Sequence, residues 1–251
     1  MTETLAITNQ KGGVGKTTTC VNLAASLARL GRSVLVVDMD PQGNATTGSG
    51  EDKHADVRTT CDVLLGDAPL DDVVQRVEAG FDLLPANGDL TVAEVRLMEE
   101  EGREYRLQQA LADARGRWDY VLVDCPPSLN LLTVNGLVAA DGVVIPMQCE
   151  YYALEGLTAL MRTIESIQRG PNSRLRIAGL LRTMFDARNR LAGDVSEQLT
   201  GYFGDRVYNT VIPRNIRLAE APSFGQPALL YDASSRGAVA YLALAGELLR
   251  R

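Results

Sequence analysis

The chain has 251 residues, 45% hydrophobic and 23% charged, a globular mixture that excludes disordered and collagen-like classes and suits one large α/β domain. No apolar run approaches the roughly 18 residues of a membrane span, and the first residues lack the basic, apolar and cleavage regions of a leader, which predicts a cytosolic chain. A net charge of −7 counts against general nucleic-acid affinity, and a single histidine with four cysteines in no C-x-x-C pair removes most zinc hydrolases, Ser-His-Asp sites and disulfide frameworks.

Strand-like and helix-like segments alternate along the whole chain, the pattern of a mostly parallel, twisted sheet with helices on both faces. Leu5–Thr8 reads as the first strand. Lys16–Leu30 follows as a helix, with Cys20, Leu23, Ala24, Leu27 and Ala28 at helical spacing and Gly31 as its stop. Ser33–Val37 is a continuous apolar run suited to a strand buried on both faces, and it leads into Asp38-Met39-Asp40-Pro41. The polar, Gly-rich segment Gly43–Thr60 is expected to be a loop without an element of its own.

Beyond it, the pattern predicts a helix at Leu70–Val77 and a strand at Phe81–Leu84. A helix at Tyr105–Ala114, a strand at Tyr120–Val123 and a helix at Leu129–Ala139 come next. The strands Val143–Pro146, Ile177–Leu181 and Tyr208–Ile212 then alternate with helices at Leu154–Ile167, Ala192–Tyr202 and Gly237–Arg250. No linker or change of composition divides the chain, so residues 1–251 are expected to form a single domain.

Between the first strand and the first helix stands Gln10-Lys11-Gly12-Gly13-Val14-Gly15-Lys16-Thr17-Thr18. The glycines let consecutive backbone N–H groups converge on an anion, and the helix start adds its positive dipole end. Lys16 then reaches the β- and γ-phosphates of a nucleotide, and the Thr17 hydroxyl ligates Mg²⁺. The basic residues sharpen this reading. Three of 25 are lysines, and two of those, Lys11 and Lys16, fall in this loop, where a point ammonium suits phosphate better than a planar guanidinium. Tyr120–Val123 runs into Asp124, a carboxylate at a strand end near the Mg²⁺ shell. Asp38 and Asp40 lie at the end of the second strand, at the same sheet edge.

The position five before Gly15 is Gln10 rather than glycine, and the run resembles the deviant Walker A loop of the ParA/MinD family of P-loop ATPases. The likeness covers essentially the whole chain and is nearest to the chromosomal Soj group. Besides the loop it rests on Asp38-Met39-Asp40-Pro41-Gln42-Gly43-Asn44, on Asp124-Cys125-Pro126-Pro127-Ser128-Leu129 and on Ile212-Pro213-Arg214-Asn215-Ile216-Arg217.

The resemblance implies an ATP and Mg²⁺ site. Gly12, Gly13, Val14, Gly15, Lys16, Thr17 and Thr18 would cradle phosphate, and Pro213 and Asn215 would contact adenine. Thr17 would bind the metal directly, with Asp38 and Asp124 acting through water. Asp40 would orient the attacking water, and Lys11 would cross to the nucleotide of a second subunit. It further implies an ATP-dependent homodimer in the nucleoid-bearing cytoplasm that binds DNA without sequence preference. A ParB-like partner would stimulate slow hydrolysis and release.

Residues 168–217 carry nine arginines against four acids, a local charge of +5, and the family pattern points to Arg188 and Arg217 as DNA contacts, with Arg190 next. The C-terminal segment lacks the aromatics and lysines of a membrane-binding helix, so no membrane partner is expected. Two further functions of the same superfamily stay open at this point: a MinD-like membrane-positioning ATPase and an ATP-dependent carboxylate-activating ligase.

Overall fold

The computed structural model describes residues 2–114, 116–151 and 153–251. Among these, eight strands form one sheet: β1 (Glu3–Ile7), β2 (Val34–Asp38), β3 (Gln75–Arg76), β4 (Asp82–Leu84), β5 (Tyr120–Asp124), β6 (Gly142–Gln148), β7 (Arg176–Phe185) and β8 (Val207–Pro213). Their order is β3-β4-β2-β5-β1-β6-β7-β8, and every described pair is parallel except β3 with β4. The fold is the expected α/β architecture.

Strand side chains alternate between the two faces, and each face has its own core. On β2, Val34 and Val36 join one core while Leu35 and Val37 join the other. Helix α1 (Lys16–Arg29) and the helix Arg236–Leu248 cover the first face. They are tied by a buried 3.1 Å hydrogen bond between the hydroxyls of Thr19 and Tyr241. The helices Leu90–Leu97, Leu131–Ala139, Ala153–Arg169 and Arg190–Phe203 contribute to the other. All five strands that precede candidate site residues run in the same direction, so their carboxyl ends bring those residues to one edge.

Four readings from the sequence need correction. The Gly43–Thr60 segment holds a short helix, Asn44–Gly48, in which Ala45 and Thr46 are buried. Gly43 starts it at φ +61°, and a Cβ there would lie 2.6 Å from the Ala86 carbonyl oxygen. The expected helix at Leu70–Val77 is a single 3-10 turn, Leu70–Asp72, followed by β3. The helix Leu90–Leu97 was not expected at all. β7 is ten residues long and extends past Leu181 to Phe185, which carries Thr183 to the phosphate loop.

Candidate nucleotide site

The phosphate loop fills the turn between β1, an interior strand, and α1. Gly13 and Gly15 take φ values of +73° and +88°, a region strained for any residue with a Cβ. Gly15 is the N-cap of α1 and offers no side-chain cap, so first-turn N–H groups are left for an outside acceptor at the positive end of the helix. Lys16 folds back across the loop, with Nζ donating to the Lys11 carbonyl at 3.3 Å.

Two residues that sequence reasoning passed over hold the loop in shape. Asn9 accepts the Lys11 N–H at 2.9 Å and donates its amide to the Pro146 carbonyl of β6 at 2.8 Å. The buried Thr183 donates its hydroxyl to the Val14 carbonyl at 2.8 Å.

β2 and β5 pair in a register that sets Asp38 opposite Asp124. The Thr17 hydroxyl donates to Asp124 Oδ2 at 2.7 Å. Asp124 Oδ1 is buried with no hydrogen-bond partner among the described residues, an acceptor that a hydrated cation would satisfy. Asp38 is held by the loop that follows it. Its Oδ2 accepts both the N–H and the hydroxyl of Thr46 at 2.8 Å, and its Oδ1 accepts the Asp40 N–H at 3.1 Å. It anchors the loop that carries Asp40. Asp40 itself is buried and accepts the Gln42 N–H at 3.0 Å.

The acids crowd one another. Burial, reinforced by Asp38, pushes the Asp124 carboxyl well above the usual carboxylate range. Burial likewise pushes Asp38 up to about 6, against the lowering pull of the Thr46 hydrogen bonds. Burial lowers the Lys16 ammonium, opposed by Asp124 and Asp40. Asp124 and Asp40 beside Lys16, with Asp38 beside Asp124, form the electrostatic setting of a divalent cation. Among the described residues no set of three His, Cys, Asp or Glu side chains could hold an ion unaided. A cation here would therefore take Thr17 and Asp124 together with ligand oxygens, which fits Mg²⁺ shared with phosphates.

Lys11 is held by an acid from the neighbouring strand end. Its Nζ lies 2.6 Å from Glu150 Oε2, beyond the end of β6, in an exposed ion pair. Pro213 ends β8, and Asn215 caps the helix Ile216–Glu220, its Oδ1 accepting the N–H groups of Arg217 and Leu218 at 3.0 and 3.3 Å. Asn215 Oδ1 is thus taken up by the cap, which leaves its amide nitrogen for other partners.

The arginines of residues 168–217 do not share one face. Arg176, at the start of β7, pairs with Glu3. Arg182 is half-buried and donates to Ser196 Oγ and to the Tyr208 carbonyl at 2.8 and 2.7 Å. Arg188 follows the carboxyl end of β7, clamped to Asp186 at 2.9 Å. Arg217 follows β8, held by Glu220 at 2.9 Å and Asp232 at 3.3 Å. Arg190 is exposed and forms no ion pair among the described residues.

A parallel sheet whose interior strand feeds a glycine loop and a helix N-terminus, with Thr17 bonded to a strand-end Asp124, defines a P-loop nucleoside-triphosphatase fold. A family model described as an AAA domain, AAA_31, matches residues 2–177. The chain is 52% identical over 250 residues to the chromosome partitioning protein ParA of Caulobacter vibrioides, covering 98% of this chain and 94% of that one. It is also 52% identical over 249 residues to the sporulation initiation inhibitor protein Soj of Bacillus subtilis, covering 99% and 98%. Among solved structures, cobyrinic acid a,c-diamide synthase from Mycobacterium smegmatis with bound ADP and magnesium superposes with a TM-score of 0.88 at 41% identity, covering 100% of this chain and 95% of that one. The chain belongs to the ParA/Soj family of chromosome-partitioning P-loop ATPases.

Proposed function

We propose that this chain hydrolyses ATP with Mg²⁺ as a DNA-partitioning switch. ATP closes two copies face to face, the dimer holds DNA without sequence preference, and a ParB-like partner stimulates slow hydrolysis and release from the nucleoid in the cytoplasm. The observation that carries the reading is the bond between Thr17 and Asp124, with Asp124 Oδ1 orphaned beside an uncapped helix N-terminus.

Each residue then has a task. The N–H groups of residues 12–18 receive the phosphates, and Lys16 balances charge at the β- and γ-positions. Thr17 and Asp124 would hold the cation, which would supply neutralisation of phosphate charge. Asp40 orients the attacking water, and Asp38 keeps the Asp40 loop in place through Thr46. Lys11 leaves Glu150 and meets the nucleotide of the facing copy, as an arginine finger does. Pro213 and Asn215 border the base.

The test is ATP-dependent retention on non-specific duplex DNA at several salt concentrations, with Lys16→Ala as control. Retention that needs ATP, falls with salt and disappears in Lys16→Ala supports the switch. Retention independent of ATP removes it. The name of the Mycobacterium smegmatis neighbour favours a second reading, an ATP-dependent amidating ligase. The partitioning relatives stand higher in identity, at 52% against 41%. Glutamine-dependent amidation of a carboxylate substrate during ATP turnover would reverse that preference, and ATP-dependent sedimentation with liposomes would favour a membrane-positioning role.

A further inference from the structure

The strands β7 and β8 do not run in step. Between the pairs Leu180–Val207 and Arg182–Val211, β7 advances two residues and β8 four, so Tyr208, Asn209 and Thr210 share the space opposite Leu181. β8 is the outermost strand at its end of the sheet, so no further strand pairs the backbone groups of this bulge.

Side chains from two other elements pair them instead. Glu247, on the helix Arg236–Leu248, is buried and takes both donors: Oε1 accepts the Asn209 N–H at 2.7 Å and Oε2 the Thr210 N–H at 2.9 Å. Arg182 takes the carbonyls, with Nη2 donating to Tyr208 and Asn209 at 2.7 and 3.1 Å. Arg251 donates to Glu247 Oε1 and to the Val207 carbonyl, each at 3.0 Å. Burial raises the Glu247 carboxyl, but the bonds from Thr210 and Asn209 and the charge of Arg251 outweigh it and hold the group below the usual carboxylate range. Both oxygens therefore accept at neutral pH, and a carboxylate that spans two consecutive N–H groups fixes the bulge in one register.

The bulge sets how far the strand reaches. β8 rejoins β7 at Val211 and ends with Pro213 opposite Phe185. Phe185 stands two residues past Thr183, which is bonded to the phosphate loop. A slip of one residue would move Pro213 and Asn215 by about 3.3 Å relative to that loop. The helix that carries Glu247 also carries Tyr241, bonded to Thr19 of α1. About 9 Å of helix thus separates the contact with α1 from the clamp on β8, and one rigid element gauges the phosphate end against the strand that leads to Asn215.

We infer that Glu247 is a positioning residue for the base end of the nucleotide: it holds the β8 bulge against Arg182, sets where Pro213 and Asn215 stand, and takes no part in holding the phosphates. This rests on the reading above in which Pro213 and Asn215 border the base.

The experiment titrates ATP and inorganic tripolyphosphate, each with Mg²⁺, into the full chain by calorimetry. Tripolyphosphate offers the phosphates without the base. Glu247→Gln keeps the size of the side chain but turns one acceptor into a donor facing an N–H. It is expected to weaken ATP about tenfold and to leave tripolyphosphate within about twofold of wild type. In steady-state hydrolysis it raises KM about tenfold with kcat nearly unchanged. Asn215→Ser keeps a helix cap but loses the amide; it weakens ATP, and the double variant loses less than the two single losses combined. Arg182→Lys breaks the other half of the clamp and reproduces the split between the two ligands, which keeps the test open if Glu247→Gln does not fold. Equal weakening of both ligands would mean that the clamp only holds the fold together, and wild-type ATP affinity in Glu247→Gln would mean that the bulge needs no clamp. Either result, with Asn215→Ser still weakening ATP, overturns the role of Glu247 alone. A wild type that binds tripolyphosphate as tightly as ATP overturns the base reading itself, and the role of Glu247 with it.

Discussion

The Thr183 hydroxyl reaches from the end of β7 into the phosphate loop and donates to the Val14 carbonyl at 2.8 Å. The two residues are 169 positions apart in sequence, and both are buried. Thr183 is followed within β7 by Met184, whose φ of +47° is the one positive value of a non-glycine among the described residues, and β7 ends at Phe185, just before Asp186 and Arg188. One side chain thus ties the loop that meets phosphate to the loop that carries the candidate DNA arginines.

Thr183→Val removes the donor while keeping the shape, and it leaves a buried carbonyl unsatisfied at a cost of about 1–3 kcal/mol. That cost falls on the order of the phosphate loop. ATP affinity is expected to weaken by about tenfold or more, with the melting temperature lowered by several degrees, and Thr183→Ser is expected to restore both. Nucleotide titration by calorimetry on all three proteins checks it.

The pair of Lys11 with Glu150 is exposed on both sides, so it contributes about 0–1 kcal/mol to stability. Its importance lies in where it holds the ammonium. Glu150→Gln frees Lys11 and is expected to lower the protein concentration at which ATP drives dimerisation, whereas Lys11→Ala is expected to bind nucleotide yet stay monomeric. Light scattering with ATP distinguishes them. An unchanged dimer in Lys11→Ala would remove the trans role.

Asp124 is a buried carboxyl opposite Asp38. A raised carboxyl pKa in the folded state means that the associated stability is present at low pH and lost as pH rises through the folded value. Asp38, opposite Asp124 and pushed up to about 6, places part of this loss between the ordinary carboxylate range and neutral pH. Asp124→Asn removes one of two facing charges. It is expected to raise nucleotide-free stability at pH 8 by roughly 1–3 kcal/mol and to flatten the fall between pH 5 and pH 8. The same variant is expected to lose Mg²⁺-dependent ATP binding. Urea unfolding across pH, alongside nucleotide titration, reads both effects.

How much of this was legible in the sequence depends on how far apart the partners are. β2 and β5 announce themselves as apolar runs ending in Asp38 and Asp124, and the phosphate loop is contiguous. The helix Asn44–Gly48 was hidden because threonine and glycine are weak helix formers. It is held instead by tertiary bonds from Thr46, whose Oγ1 donates to Asp38 and accepts the Ala86 N–H at 2.8 Å. Leu70, Val73, Val74 and Val77 satisfy a helical spacing, yet Val77 follows a strand that exists by pairing with β4. Glu150 and Thr183 carry no local signal, since their partners lie 139 and 169 residues away, and the bond from Asn9 to Pro146 spans 137. The run of arginines is spread out for the same reason: Arg176 lies at the start of β7, Arg182 within it and Arg188 beyond its end.

The final expectation concerns those arginines. Arg188 is clamped by Asp186, whose carboxyl its hydrogen bonds pull down to about 2, with Arg214 assisting. Engaging a DNA phosphate would require Arg188 to exchange one anion for another, whereas Arg190 forms no ion pair among the described residues and has nothing to exchange. Arg217 faces Glu220 and Asp232, so reversing its charge would crowd three acids, and alanine is the cleaner probe. Each phosphate contact releases counterions worth roughly 0.9 in the slope of log K against log salt on duplex DNA. A two-fold dimer presents every arginine twice, so Arg190→Ala and Arg188→Ala should each flatten that slope by up to roughly 1.8. Asp186→Asn should do the opposite to affinity by releasing Arg188, and ATP-driven dimerisation should survive all three substitutions. The weakening should be alike on unrelated sequences, since phosphate contacts carry no base information. Dimers of the Arg188→Ala/Arg190→Ala/Arg217→Ala variant that hold DNA with the wild-type slope would show these side chains to be solvated surface, and the DNA site would lie elsewhere on the dimer.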